Sequence, residues 1–226
     1  MNPNVANYPI VSEDADLIYT EHLAYQKDMS KSVEYGEAYY QNYVSREGTD
    51  IARKLNLART SLSEKYCKRC LLDIGIGSGE FIKSSSLMVY GYDINPHGIK
   101  WLRDRALFVD PYERVPIEVE GFTMWDCLEH IPDPAELLES IKVGQYLFVS
   151  LPTFDDVLKV KESKHYKPNE HYYYFSVEGL KKYLNDYGFA YVEHNDDETR
   201  AGREGITSFV FLKDLPIVAG HMMFCC

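Results

Sequence analysis

A turn rich in glycine contains the first residues whose spacing could bind a ligand. Gly75, Gly77 and Gly79 follow an apolar run and precede a stretch with helical spacing. Because glycine has no Cβ, such a turn between a strand and a helix lets the backbone and the helix N-terminus approach a ligand closely. Asp73 stands two residues before the first glycine. The pattern predicts a binding loop with a carboxylate beside it.

A second acidic residue, Asp93, ends the next predicted strand. A carboxylate at that place can accept hydrogen bonds from both ribose hydroxyls of an adenosine ligand. Ligands of open α/β sheets bind at the carboxyl ends of the strands, so Asp93 and the glycine turn should face one crevice. Together they predict a site for a nucleoside.

The spacing of the glycines narrows the choice of adenosine ligand. Nicotinamide-dependent Rossmann proteins use G-x-G-x-x-G, whereas this turn reads G-x-G-x-G with Asp73 before it. The carboxylate of Asp73 would repel a pyrophosphate and attract the cationic amino-acid end of S-adenosylmethionine. The pattern therefore favours S-adenosylmethionine, and a nicotinamide cofactor is the alternative.

Strands and helices alternate from Cys70 to Ser150, and a long connection at Leu151–Ser176, one helix and two closing strands follow. Strands are predicted at Cys70–Gly75, Met88–Asp93, Ala106–Val109, Phe122–Cys127, Tyr146–Ser150, Phe189–His194 and Ile206–Leu212. Helices are predicted at Glu80–Ser85, His97–Arg103, Pro134–Ile141 and Val177–Tyr187. This order predicts an α/β fold with a doubly wound, Rossmann-like sheet and an antiparallel last strand. The crossover at Asp110–Pro116 is too short for a regular helix, so we expect a loop or a single turn there.

The first 66 residues differ from the rest of the chain. Four tyrosines recur there at helical spacing: Tyr35, Tyr39, Tyr40 and Tyr43. Thr49 is a suitable N-cap for a second helix. We therefore expect an N-terminal helical extension at 1–66, a cofactor-binding domain at 67–215 and a C-terminal tail at 216–226. Two roles stay open for the extension, a lid over the site or simple packing on the main domain.

Composition limits the class of protein. The chain has 226 residues and a net charge of −11, which argues against a dedicated nucleic-acid binder with a basic surface. No apolar run reaches the ~18 residues of a membrane span, and no secretory signal is visible. We therefore predict a soluble cytoplasmic protein. Cys67 and Cys70 have CxxC spacing without a second pair, so no metal site is predicted.

Three segments resemble the successive motifs of class I S-adenosylmethionine-dependent methyltransferases: Leu71–Phe81, Gly91–Pro96 and Thr123–Pro134. The likeness extends through Gly144–Pro152 and His171–Leu180. Within that superfamily the chain is most similar to small-molecule enzymes related to quinone-biosynthesis O-methyltransferases. The resemblance implies a seven-stranded sheet with the last strand antiparallel. It also implies S-adenosylmethionine as the methyl donor and S-adenosylhomocysteine as the product.

The resemblance also implies a set of cofactor-binding residues. They are Asp73, Gly75, Gly77, Gly79, Phe81, Asp93, Ile94, Asp110, Trp125, Asp126 and Leu128. The loop from Asp73 matches the part that surrounds the methionine moiety, and Asp93 matches the ribose acid. Asp110 is similar to the residue that contacts the adenine amino group, although the short crossover after it departs from many members. The stretch from Trp125 matches the segment beside the adenine and the sulfonium.

Methyl transfer needs few catalytic groups, because the carbon is already activated by the sulfonium. The protein must align the nucleophile for in-line displacement, exclude water and remove a proton where the acceptor requires it. His130 and His171 are the candidate bases, since an imidazole titrates near neutral pH. Each could instead be a structural residue.

A missing motif argues against a nucleic-acid base as the methyl acceptor. Base-modifying relatives of this fold would show an N-P-P-Y-like tetrapeptide after the fourth strand, where Asp126–Glu129 stands instead. We therefore expect a small-molecule acceptor with an oxygen or nitrogen nucleophile, and no nucleic-acid partner. A protein that binds S-adenosylmethionine without catalysis is the alternative from another class.

Overall fold

A mixed sheet of six strands forms the centre of the molecule. The computed structural model describes residues 5, 8–28, 30, 33–113 and 118–215, so the predicted tail at 216–226 lies outside the described residues. The strands are β1 (Ser12–Glu13), β2 (Leu17–Tyr19), β3 (Leu23–Gln26), β4 (Cys70–Ile74), β5 (Met88–Tyr92), β6 (Gly121–Trp125), β7 (Tyr146–Pro152), β8 (Tyr173–Phe175), β9 (Phe189–Asn195) and β10 (Ile206–Lys213). The helices are α1 (Glu37–Val44), α2 (Asp50–Tyr66), α3 (Glu80–Ser84), α4 (Pro96–Arg103), α5 (Ala135–Ser140), α6 (Val177–Asn185) and α7 (Asp197–Arg200).

The central sheet has the order β5-β4-β6-β7-β10-β9. β4 runs parallel to β5 and β6, and β7 continues the parallel part beside β6. β10 is antiparallel to both of its neighbours, β7 and β9. The predicted α/β class and the antiparallel last strand are therefore confirmed. Strands β4, β6 and β7 are buried and largely apolar, as expected for strands with elements packed on both faces.

The predicted third strand, Ala106–Val109, is reduced to one bridge beside β5. Phe108 pairs with Gly91 in parallel, and the Val109 N–H donates to the Gly91 carbonyl at 3.0 Å. The strand pairing cannot extend beyond this bridge in either direction. On the N-terminal side Ala106 has a φ of 56°, and on the C-terminal side a turn begins after Asp110. The described sheet thus has six strands and one bridged segment, where the sequence predicts seven strands.

The N-terminal region contains strands as well as the predicted helices. β1, β2, β3 and β8 form a second, antiparallel sheet, in which β3 pairs with β8 through Leu23 and Phe175. The helix α2 begins as predicted, with the Thr49 hydroxyl accepting the Ala52 N–H. The second sheet was not anticipated from the sequence, because its strands have only two to four residues. Among the described residues, no helix has both the length and the apolarity to cross a membrane.

Candidate cofactor and acceptor site

Two neighbouring cavities open at the carboxyl ends of β4, β5 and β6. The larger cavity has a volume of about 380 Å³ and the smaller one about 220 Å³. Both are lined by Tyr39, Tyr43, Gly75, Gly77, Trp125, Asp126 and His130. The position agrees with the rule that ligands of open α/β sheets bind beyond the carboxyl ends of the strands. The two cavities are therefore adjacent, and together they are called the cleft here.

The glycine turn forms the floor of this cleft, and two of its residues have to be glycine. Gly75 and Gly77 have φ values of 77° and 56°, in the left-handed region. A Cβ on Gly75 would lie 2.8 Å from the Cys127 sulfur, and one on Gly77 would lie 3.0 Å from the ring of Tyr43. The backbone of the turn is therefore closely enclosed by the chain after β6 and by α1.

Asp93 lies directly after β5 and lines the larger cavity together with Ile94. Its carboxylate accepts the Asn95 N–H at 2.8 Å. Burial raises the pKa of Asp93, although hydrogen bonds from backbone amides, including that of Gly77, act to lower it. The glycine turn and the predicted ribose acid are therefore brought together, as the sequence predicts. Ile94 is 61% exposed, so it offers an apolar wall at the rim of the larger cavity.

Asp73 lies beneath the turn and lines the smaller cavity. It is only 1% exposed, and its carboxylate accepts a hydrogen bond from the Thr123 hydroxyl at 2.6 Å. Burial raises the pKa of Asp73 to about 7, while the bond from Thr123 acts to lower it. A charged carboxylate in such a place is stabilised by a cationic ligand group.

Two aromatic side chains close the floor of the smaller cavity. The rings of Phe81 and Trp125 meet edge to face with centroids 5.4 Å apart. Trp125 also lines the larger cavity, and its indole Nε1 is buried with no hydrogen-bond partner among the described residues. The Trp125 ring is therefore an apolar surface that both cavities share.

Three of the predicted cofactor residues do not line either cavity. Gly79 is the N-cap of α3 and faces the ring of Trp101, so its role is packing. Leu128 is fully buried in the hydrophobic core. The Asp110 carboxylate accepts the N–H of Tyr112, and Tyr112 lines the larger cavity in its place. The short crossover after Asp110 turns the chain so that an aromatic ring replaces the acid.

Asp126 stands at the boundary of the cavities but is held by two arginines. Its oxygens accept from Arg203 at 2.6 and 2.8 Å and from Arg59 at 2.9 Å. The buried Glu198 bonds the same two guanidinium groups at 2.7 to 2.9 Å. The arginines hold the pKa of Asp126 far below its usual range despite its burial. Asp126 also has a φ of 52°, a strained value for a residue with a Cβ.

This four-residue cluster, Arg59, Asp126, Glu198 and Arg203, could not be recognised from the sequence. Its members come from α2, from the end of β6 and from the chain around α7. Arg59 and Glu198 are separated by 139 positions in the chain. Both arginines also line the smaller cavity, so the cluster forms one of its walls.

Tyrosines of the N-terminal region form the wall opposite the glycine turn. Tyr35 and Tyr40 line the larger cavity, while Tyr39 and Tyr43 line both. The hydroxyls of Tyr39 and Tyr43 lie 3.3 Å apart. No residue of α1 is fully buried, so these rings face the cleft and not a packed core.

The two predicted histidines lie side by side in the smaller cavity. The rings of His130 and His171 are nearly perpendicular, with centroids 4.6 Å apart. Burial lowers the pKa of His130 to about 4 and that of His171 to about 2. Both imidazoles are therefore neutral at physiological pH, and they are weaker proton acceptors than the sequence suggests.

Four residues that share the smaller cavity are not among the predicted site residues. Glu129, His165, Lys167 and Glu170 all line it. Glu129 is 1% exposed, and neither of its carboxylate oxygens has a hydrogen-bond partner among the described residues. Burial raises the pKa of Glu129 well above its ordinary value. Its place next to His130 in the chain was the one available signal.

A family model described as "Methyltransferase domain" matches residues 39–194, from α1 to β9. The chain belongs to this family. Among curated protein sequences, none matches the chain at a significant level.

Solved structures of methyltransferases share the fold. An S-adenosylmethionine-dependent methyltransferase from Archaeoglobus fulgidus is 20% identical, with 78% of this chain and 100% of that one covered and a TM-score of 0.54. A methyltransferase from Streptomyces caelestis is 11% identical, and the match covers 81% of this chain and 100% of that one with a TM-score of 0.54. The 1,6-didemethyltoxoflavin-N1-methyltransferase of Burkholderia thailandensis, solved with 1,6-didemethyltoxoflavin and S-adenosylhomocysteine, is 16% identical, with 91% and 99% covered and a TM-score of 0.53.

The chain therefore belongs to a methyltransferase family, and it has a fold that S-adenosylmethionine-dependent methyltransferases share. The site fits S-adenosylmethionine, because the turn at Gly75 and Gly77 is bare of side chains and a buried carboxylate, Asp93, faces the same cavity. The predicted resemblance to methyltransferases is confirmed at the level of the family and the fold. Its narrower part, the likeness to quinone-biosynthesis O-methyltransferases, stays a prediction.

Proposed function

We propose that the enzyme methylates an oxygen or nitrogen nucleophile of a small molecule bound in the smaller cavity. The observation that carries this proposal is that the two cavities are adjacent and share lining residues. The smaller cavity adjoins the larger one at Gly75, Gly77 and Trp125, and it ends at His130 and His171. Its volume of about 220 Å³ suits a small acceptor, not a polymer.

The donor would occupy the larger cavity, and its amino-acid end would reach into the part of the smaller cavity beside Asp73 and the glycine turn. Asp93 would accept hydrogen bonds from the ribose hydroxyls. Ile94 and Tyr112 would flank the adenine, since both line the larger cavity. Asp73 would face the cationic amino group, because one of its oxygens accepts from Thr123 and the other is available. S-adenosylmethionine supplies a methyl group on a positively charged sulfur.

The chain's own residues would position the acceptor and keep water out. Trp125 and Phe81 seal the floor, and the rings of Tyr39 and Tyr43 cover the opposite side. His130 and His171 would orient the nucleophile through hydrogen bonds, because burial keeps both rings neutral. A neutral imidazole can hold a hydroxyl or amine proton at its nitrogen and direct the lone pair of the nucleophile.

A related fold offers a parallel for the size of the acceptor. The Burkholderia thailandensis enzyme named above is a toxoflavin-precursor N1-methyltransferase, as its name states. Its acceptor is thus a small heterocycle. The aromatic walls of the present cleft would suit a planar acceptor of similar size.

The proposal is tested by binding and turnover measured on the same protein. Calorimetry should show one site for S-adenosylmethionine and for S-adenosylhomocysteine. A panel of phenols, catechols, hydroxy acids and heterocyclic amines should include an acceptor that releases S-adenosylhomocysteine. Tight donor binding with no turnover on any member of the panel would favour the alternative, a binding protein without catalysis.

His171→Ala separates the two halves of the site. We expect the variant to keep its donor affinity within about twofold and to lose at least about tenfold in turnover, because His171 lines only the smaller cavity. An equal loss of donor affinity and of turnover would contradict the division of the cleft.

A further inference from the structure

Three side chains at the end of the smaller cavity bring metal-binding atoms together. Glu129, His130 and His171, called here the Glu129 triad, each offer one ligand atom, and these atoms lie within 4.8 Å of one another. Nε2 of His130 is 3.9 Å from Oε1 of Glu129. The sequence did not predict this triad, because Glu129 and His130 are more than 40 positions from His171 in the chain.

The backbone holds the triad from two directions. Glu129 and His130 belong to a short 3-10 turn, Leu128–His130, that follows β6. His171 lies just before β8, and the next residue, Tyr172, donates its N–H to the Glu129 carbonyl at 2.8 Å. The Gln26 N–H of β3 donates in turn to the Tyr172 carbonyl at 2.9 Å. The three side chains are therefore carried by segments that are hydrogen-bonded to one another.

The Glu129 carboxylate has no partner of its own. It is 1% exposed, and neither oxygen accepts a hydrogen bond from a described residue. A carboxylate buried in this way needs either a proton or a cation. The nearby cations are engaged elsewhere. Arg203 donates hydrogen bonds to Asp126 and to Glu198. Lys167 donates to Glu170 at 3.1 Å.

We propose that the Glu129 triad binds one divalent transition-metal ion. Two imidazole nitrogens and one carboxylate oxygen are a ligand set suited to zinc, cobalt, manganese or iron, whereas magnesium and calcium prefer oxygen alone. Ligand bonds near 2.1 Å would place these atoms about 3.0–3.4 Å apart, so the most widely spaced of them, up to 4.8 Å apart here, would close by about 1.5–2 Å through side-chain rotation. Three protein ligands leave positions open toward the smaller cavity.

Which molecule would occupy the open coordination positions of the ion rests on the proposed function, in which a small acceptor binds in the smaller cavity. An acceptor with two adjacent oxygens, such as a catechol or an α-hydroxy carbonyl compound, could bind the ion through both. The ion would favour loss of the hydroxyl proton to water. The ionised oxygen would then form a bond to the methyl carbon as the carbon–sulfur bond breaks, and the electron pair of that bond would stay on sulfur.

Cobalt(II) provides a direct test on the full-length protein. After treatment with a chelator and its removal, the protein should bind one equivalent of cobalt(II), seen as visible ligand-field absorption, and zinc should displace it. Glu129→Gln should weaken the apparent affinity for cobalt by at least about 100-fold. Glu170→Gln is the matched control, since Glu170 lines the same cavity outside the triad, and it should keep its affinity within about threefold.

The possible results separate this inference from the proposed function. Absence of stoichiometric cobalt binding in the wild-type protein would overturn the metal site, and so would equal affinity in wild type and Glu129→Gln. His171→Asn gives a second variant should Glu129→Gln fail to fold, as judged by circular dichroism. Calorimetry with S-adenosylmethionine on the same samples tests the donor site independently, because no triad residue except His130 lines the larger cavity.

Discussion

At the scale of single residues, Asp93 is the acid to which we assign recognition of the donor ribose. It is nearly buried, it accepts an N–H from Asn95, and it faces the larger cavity. The nearby backbone amides therefore fix its orientation before any ligand arrives. A ribose would meet a carboxylate that is already in place, which reduces the entropy lost on binding.

Asp93→Asn should weaken binding of S-adenosylmethionine by about 10- to 100-fold, since hydrogen bonds to a charged group contribute about 1.5–3 kcal/mol. The amide can still accept from Asn95, so the fold should be retained. Titration calorimetry measures the change. Asp104→Asn is the control, because Asp104 caps α4 outside both cavities and should leave the affinity unchanged. Equal affinities of Asp93→Asn and wild type would remove Asp93 from the site.

Asp73 should make donor binding depend on pH. Burial raises its pKa to about 7, so the carboxyl group of the free protein gains a proton as the pH falls through 7. Only the ionised form attracts the ammonium group of the donor, so affinity should fall by up to about tenfold per pH unit between pH 7 and 5.5. Calorimetry over this range should show a clearly shallower slope for Asp73→Asn than for wild type. Parallel slopes would contradict the assignment.

For the candidate site residues, the sequence could predict positions in the fold but not the pKa of the two histidines. The positions of Asp73, Asp93 and Trp125 follow from motifs that the fold places at strand ends, so they could be predicted. The low pKa of His130 and His171 could not, because it comes from burial by segments far apart in the chain.

At the scale of elements, the helix α1 and the glycine turn are fitted to each other. Tyr43 of α1 contacts Gly77 so closely that a Cβ there would lie 3.0 Å from its ring. Because α1 has no fully buried residue, its position depends on contacts of this kind. The helix therefore forms one wall of the cleft, and both roles predicted for this region, a lid and a packing element, stay predictions.

Gly77→Ala should lower donor affinity by displacing Tyr43 and α1. Gly48→Ala is a matched control, since Gly48 also has a positive φ, 68°, but nothing within 4 Å of a Cβ. Both variants should lose about 1–2 kcal/mol of stability through backbone strain. Only Gly77→Ala should weaken S-adenosylmethionine binding, by at least about tenfold. Calorimetry and thermal unfolding distinguish the two effects, and similar affinities in both variants would show that the contact is irrelevant to binding.

The alternation of strands and helices after Cys70 predicted the central sheet well. Strands such as β4 and β7 are strongly apolar, and their partners follow from the rules for parallel crossovers. The second sheet escaped prediction, since β3 and β8 pair only because the completed fold brings them together. In a strand of two to four residues, the alternation of apolar and polar side chains is too short to be recognised from the sequence alone.

At the scale of the whole molecule, the four-residue charge cluster joins parts of the chain that are distant in sequence. Arg59 belongs to α2, Asp126 follows β6, and Glu198 lies in α7. The charges balance, with two guanidinium groups against two carboxylates. A buried set of this kind is sensitive to the loss of one member, because the remaining charges are then uncompensated.

Glu198→Gln should reduce the free energy of unfolding by about 3 kcal/mol or more, because Glu198 is fully buried between Arg59 and Arg203. Glu193→Gln is the control on the surface, where the ion pair with Lys65 should contribute at most about 1 kcal/mol. Urea denaturation followed by circular dichroism gives both values. A loss below 1 kcal/mol for Glu198→Gln would show that the cluster does not stabilise the fold.

The pairing of β3 with β8 has a consequence for how this protein can be shortened. The recognised family region starts at residue 39, so the strands before it look dispensable. Yet Gln26 of β3 holds Tyr172, which is adjacent to His171 and bonded to Glu129. A truncated version beginning at the family boundary would leave the far end of the acceptor cavity without its backing. We therefore expect the minimal working unit to extend on the N-terminal side of residue 39, where the recognised family region begins.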